Sequence, residues 1–185
     1  MGDLKKRASF ARLVNYVNKP KKARLIDSKD VRLDNNATIA NSMQGQADDK
    51  PGRKLKNPVY HISLDFAHED TPKLTDSLMA EIAREYMKRM GIVNTQYIMS
   101  RHHDKPHPHV HIAYNRVDND GNAITGDQGF RKSARITQAL TREYGPADLN
   151  LTAPYGTVDA GAAGLRGYDV NIVAKYVLNA FNISA

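Results

Sequence analysis

Five of the chain's seven histidines fall within ten residues, in the stretch RHHDKPHPHVHIAYNR over 101–116: His102, His103, His107, His109 and His111. Clustered imidazoles are unfavourable unless something holds them, because protonated rings repel and neutral buried rings need hydrogen-bond partners. A divalent cation meets both demands, since it takes a lone pair from each neutral ring. The chain has no cysteine, so disulfides and thiolate-ligated zinc are excluded and an ion must be held by imidazole, carboxylate or water. The helical His-Glu-x-x-His motif of hydrolytic zinc enzymes is also absent.

The elements around the histidines decide which of them can converge. HVHIAYNRVD (109–118) alternates, and with Val110, Ile112 and Tyr114 toward a core, His109 and His111 project together from the opposite face. TQYIMSRH (95–102) reads as a second strand, and HDKPHP is short enough to return it as a hairpin. That brings His102 or His103 beside the pair and builds a three-imidazole site on the open face of a sheet. Sequence alone does not fix the register, so both stay candidates. Three neutral imidazoles suit zinc, manganese, nickel or cobalt. The competing reading, a chance cluster in a polar loop, is weakened by five histidines in ten residues on an otherwise clean alternation.

Other segments supply the framework. PVYHISLDF (58–66) alternates Tyr60, Ile62, Leu64 and Phe66 against His61, Ser63 and Asp65, the pattern of a strand with one face in the core. The segment 71–91 carries Leu78, Met79, Ile82, Ala83, Tyr86, Met87 and Met90 at helical spacing, with Thr75 as cap and Gly91 as stop. Residues 8–18 form a short helix with Ser9 as cap and Pro20 as its limit, and 133–145 a further amphipathic helix. Residues 34–57 are polar and punctuated by Pro51-Gly52, the composition of a long loop with a helical turn around ATIANSM. DNDGN (118–122) has the chemistry of a tight turn, and a last helix is expected near 169–182. These elements predict an α+β domain, an antiparallel sheet with helices packed on one face and the three-histidine site on the other. Residues 1–150 are assigned to that domain and 151–185 to a C-terminal extension ending in a helix.

Charge points to the partner. Residues 1–25 hold eight basic side chains against one acid, Asp3, leaving 19 of each sign elsewhere. Phe10, Leu13, Val14 and Val17 run through this stretch at i, i+3, i+4 and i+7, so it is a folded amphipathic helix rather than a solvated tail. Phosphate is the fitting partner. There is no apolar run long enough to span a bilayer and no secretory pattern, so a cytoplasmic protein without membrane contact is expected.

The residues His102-x-Asp104-x-x-His107-Pro108-His109-x-His111-x-x-x-Asn115-Arg116 resemble the signature of the relaxase/mobilization nuclease family, and His109-Val110-His111 resembles the histidine–hydrophobe–histidine core of the wider HUH endonuclease superfamily. Eight positions fall at the family's spacing. HISLDF, the helix 74–90, RMGIVNTQY and ALTREYG look like relaxases of mobile elements from Bacteroides and relatives, so the resemblance spans roughly 8–145. It implies a bacterial DNA strand transferase that nicks single-stranded origin-of-transfer DNA through a 5′-phosphotyrosine intermediate. A divalent ion (manganese, magnesium, zinc, nickel or cobalt) would sit on His102, His109 and His111, and accessory mobilization and coupling proteins would be partners.

Of the nine tyrosines, Tyr16 in LVNYVNK lies among the basic residues and resembles the family's first motif, which makes it the expected nucleophile. Tyr60, Tyr86, Tyr97, Tyr114 and Tyr144 lie on core faces, strands or helix ends. The resemblance gives Asp104 the task of orienting a ligand histidine through its ring N–H. His107 is open between fourth ligand, phosphate contact and loop residue. Arg12, Lys19, Lys21, Lys22 and Arg24, with His107, Asn115 and Arg116, are the expected DNA contacts. Two other functions fit less well: a rolling-circle replication initiator with the same chemistry, and a non-catalytic DNA-binding module.

Overall fold

The computed structural model describes residues 9–125, 129–144, 152–153, 156–157 and 172–177. Helix α1 (Phe10–Val17) begins where Ser9 Oγ accepts the Arg12 amide, and buries Phe10, Leu13, Val14 and Val17 as the spacing requires. After a turn with Lys21 at a φ of 66°, strand β1 (Ala23–Lys29) follows. Its sequence does not announce a strand, because the register slips between Leu25 and Asp27 and the resulting bulge breaks the period of two.

Residues 34–57 correct the expectation of a long loop: Asn36–Asp49 form a 14-residue helix, α2, capped by Asn35 Oδ1 on the Thr38 amide. Only Ile39, Ala40, Met43 and Ala47 are buried on it, and two of these four are alanines. So small an apolar stripe reads as polar loop in one dimension. Packing against α1 and the sheet supplies what the periodicity lacks.

Strand β2 (Val59–Phe66), helix α3 (Asp76–Met90), the hairpin of β3 (Tyr97–His102) and β4 (His109–Asn115), and helix α4 (Gly129–Tyr144) complete the expected set. Thr75 Oγ1 caps α3, and Gly91 ends it at a φ of 82°, a left-handed conformation that favours glycine. Two short strands, β5 (Thr152–Ala153) and β6 (Gly156–Thr157), pair with each other. A last strand, β7 (Ile172–Val177), lies where a terminal helix was expected. With β-branched Ile172, Val173 and Val177, it pairs antiparallel with the free edge of β2. The remainder of that expected helix, and the expected boundary at residue 150, fall outside the described residues.

The main sheet runs β1-β3-β4-β2-β7, antiparallel throughout. One face presents Ile62, Leu64, Met99, Val110, Ile112 and Tyr114 to α3 and α4, as the alternation requires. Each such buried aliphatic contributes about 1.5–3 kcal/mol. The other face is divided. Val59, Ile98 and Ala113 lie beneath α1 and α2, a second helical layer that the sequence reading lacked, while the rest of that face is polar and holds the histidines.

Candidate active site

Register brings the polar half of this face together. His102 on β3 stands opposite His109 on β4, and His109 opposite Asp65 on β2. One step along, Ser100, His111 and Ser63 form a second row. The pairing places His102 rather than His103 beside the pair: His102 is buried in the row, whereas His103 is exposed and uses its backbone N–H to bond the Lys22 carbonyl at 2.8 Å. Among the described residues, His102, His109 and His111 form a cluster whose candidate ligand atoms all lie within 4.8 Å of one another.

Each ring has one nitrogen engaged and one left over. His102 Nε2 donates to the carbonyl of Val17 at 2.8 Å, and His109 Nδ1 donates to that of His107 at 3.1 Å. His111 Nδ1 lies 2.7 Å from His61 Nε2. The nitrogens that remain are His102 Nδ1, His109 Nε2 and His111 Nε2. The first two are buried without a hydrogen-bond partner. Such orphans cost about 1–3 kcal/mol each unless something accepts the lone pair. Burial, the largest cause, holds the pKa of all three rings below the usual imidazole value, and neighbouring histidines lower that of His111 further. Neutral rings with converging, unshared lone pairs fit a divalent ion.

Asp104 is placed otherwise than its expected role requires. Its Oδ1 lies 3.2 Å from His109 Nε2 and 3.8 Å from His102 Nδ1, the open nitrogens, while backbone carbonyls hold the outer ones. His107 is half-buried and bonds Asp65 Oδ1 through Nε2 at 2.8 Å, and Ser63 Oγ donates to the other carboxylate oxygen. Asp65 thereby fixes His107, whose carbonyl in turn orients His109. The sequence reading missed His61 and Asp65 as site residues. The alternation of HISLDF had already put both on the face opposite the aliphatics, which was the available signal.

Tyr16, in the last turn of α1, stands over this cluster. Its ring centroid lies 5.2 Å from that of His111, 5.6 Å from His61 and 5.8 Å from His102. Partial burial, and then the negative charges of Asp104 and Asp65, push its pKa up, so the hydroxyl keeps its proton in the metal-free protein. Of the expected DNA contacts, Arg12, Lys19, Lys21 and Lys22 are exposed on α1 and the turn that follows. Three others lie elsewhere. Arg24 forms an ion pair with Asp76 of α3. Asn115 is fully buried and bonds the Met43 carbonyl, Gln96 and the Val117 amide. Arg116 bonds the carbonyls of Ile124 and Asn57 and lies 4.3 Å above the Tyr60 ring. Both tie β4 to its surroundings.

A comparison with protein families matches residues 16–146, well over half the chain, to the model for the MobA/VirD2-like relaxase nuclease domain. No curated protein and no solved structure matches significantly. No helix among the described residues is long and apolar enough to cross a membrane. With a buried three-histidine cluster on its antiparallel sheet, the chain belongs to the MobA/VirD2-like relaxases through their nuclease domain.

Proposed function

We propose that this relaxase domain nicks one strand of DNA at a transfer origin by attack of the Tyr16 hydroxyl on the scissile phosphate. A bond forms between the tyrosine oxygen and phosphorus as the bond from phosphorus to the 3′ oxygen breaks, the proton lost by the hydroxyl ends on that 3′ oxygen, and the strand is held as a 5′-phosphotyrosine that the reverse reaction can rejoin. The single observation carrying this reading is Tyr16 itself, whose ring stands 5.2 Å from His111 within the histidine cluster. His102, His109 and His111 would hold a divalent ion of the manganese, magnesium, zinc, nickel or cobalt group. When bound, the ion supplies positive charge beside the non-bridging phosphate oxygens, where charge builds during transfer. Asp104, facing two of the ligand nitrogens, tempers that positive charge. The exposed Arg12, Lys19, Lys21 and Lys22 carry the strand to Tyr16 by its phosphates. Service to a mobile element of Bacteroides-type bacteria, together with accessory and coupling proteins, completes the reading.

The test uses fluorescent single-stranded oligonucleotides tiled across the element's own transfer origin, with Mn2+, resolved on a denaturing gel. The wild-type protein should give a covalent adduct that maps to LVNYVNK. Tyr16→Phe should abolish adduct and nick together while DNA affinity persists. An adduct that survives in Tyr16→Phe would move the nucleophile to another residue. Binding without any adduct would favour the non-catalytic module.

A further inference from the structure

His61 has no part in the chemistry described so far, yet it is buried to 3% exposure at the centre of the site. Its ring centroid lies 4.8 Å from that of His111, and the Tyr16 ring meets both in edge-to-face contacts. The other two ligand histidines are oriented by backbone carbonyls, those of Val17 and His107, which the fold itself supplies. The outer nitrogen of His111 instead meets a side chain, His61 Nε2, at 2.7 Å.

Proton accounting allows two arrangements of this pair. If His61 Nε2 carries a proton and donates, the one proton of neutral His111 sits on its Nε2, and that nitrogen cannot ligate. If His111 Nδ1–H donates, His111 Nε2 is free for the ion, and the proton of His61 must sit on Nδ1. That Nδ1 is buried and has no hydrogen-bond partner. An apolar ring of the same shape would avoid this orphan. Its presence is therefore poorly explained by stability and well explained by a requirement for the lone pair on Nε2.

We propose that His61 is a positioning residue for the metal centre: its Nε2 accepts the Nδ1–H of His111, selecting the tautomer and ring orientation in which His111 Nε2 faces the ion. The inference rests on the reading of His102, His109 and His111 as the ligand set. A neutral imidazole is also an unusual outer partner, since carboxylates and carbonyls are the common ones. It orients the ligand without adding negative charge to that which Asp104 already brings.

Titration with Co2+ alone, followed by its visible absorption, tests this with three proteins. The wild type should bind. His61→Phe keeps the ring but loses the acceptor; its Co2+ affinity should fall about 10–100-fold, while its melting temperature in chelator stays level or rises. His61→Gln places an acceptor oxygen near the Nε2 position and should recover most of the affinity. Wild-type Co2+ affinity in His61→Phe would overturn the positioning role and leave the three-histidine site standing. Failure of the wild type itself to bind Co2+ would overturn both. Should His61→Phe not fold, imidazole nitrogen–proton correlation spectra of the Zn2+-loaded wild type decide the matter. A proton on His111 Nδ1 with His61 Nε2 bare supports the assignment, and a proton on His61 Nε2 overturns it.

Discussion

His102, His109 and His111 are held in the neutral form, the one in which an imidazole can take a cation. Burial penalises the imidazolium form in each, and the proximity of the rings adds repulsion. Their pKa values thus lie below the usual 6.5, so at that pH the rings are predominantly neutral rather than half protonated. Metal binding should then release few protons. Three ordinary imidazoles would release about 1.5 protons per ion at pH 6.5. Calorimetric titration of Zn2+ at pH 6.5, in two buffers of different ionisation enthalpy, reads the number directly. A release near 1.5 would show that the rings are not held neutral and would undo the electrostatic account of the site. The same scale shows what the motif concealed. Asn115 and Arg116 close the family signature, yet one is buried against Met43 and Gln96 and the other stacks on Tyr60. Spacing marks a residue as required, but only the fold separates a structural requirement from a chemical one.

Among the elements, those legible in the sequence were the ones whose own pattern determines them. β2, β4 and α3 bury a regular stripe, and their faces fall as alternation and helical period dictate. The site inherits this legibility, because His109 and His111 follow from the alternation of a single strand. What stayed hidden depends on neighbours. β1 is broken by a bulge, α2 is held by α1 and the sheet, and β7 pairs with the edge of β2. α1 was legible as a helix, but its connection to the histidine cluster was not. The Val17 carbonyl is among those a helix C-terminus leaves without an intrahelical partner, and His102 Nε2–H fills it at 2.8 Å. An ion on His102 Nδ1 requires the proton to be on Nε2, so loading the site should strengthen the bond that docks the helix of Tyr16. Hydrogen exchange at the amides of Val14–Asn18 should slow on adding Zn2+, with α3 as an unaffected control. Equal exchange with and without the ion would uncouple α1 from the metal centre.

At the scale of the whole molecule, the distribution of charge matters more than its sum. The net charge of +7 equals the excess carried by residues 1–25 alone, so the rest of the chain is neutral overall. Within that segment the structure separates two uses of a cation. Arg24 forms an ion pair with Asp76 of α3, whereas Arg12, Lys19, Lys21 and Lys22 are exposed on α1, which carries Tyr16, and on the turn that follows. On the proposed function, phosphates drawn to the second group would be led toward the helix that carries Tyr16. Each phosphate contact on single-stranded DNA releases condensed counterion and contributes roughly 0.7 to the slope of log affinity against log salt. Replacing Lys19, Lys21 and Lys22 together by alanine should therefore flatten that slope by about 2 and weaken binding most at low salt. Arg24→Ala should leave the slope unchanged, because its charge is already paired and faces another layer of the fold. Filter binding of a fixed oligonucleotide across a range of NaCl concentrations measures both. An unchanged slope in the triple variant would mean that the exposed lysines do not touch DNA, and the path of the strand to Tyr16 would have to run over a different surface.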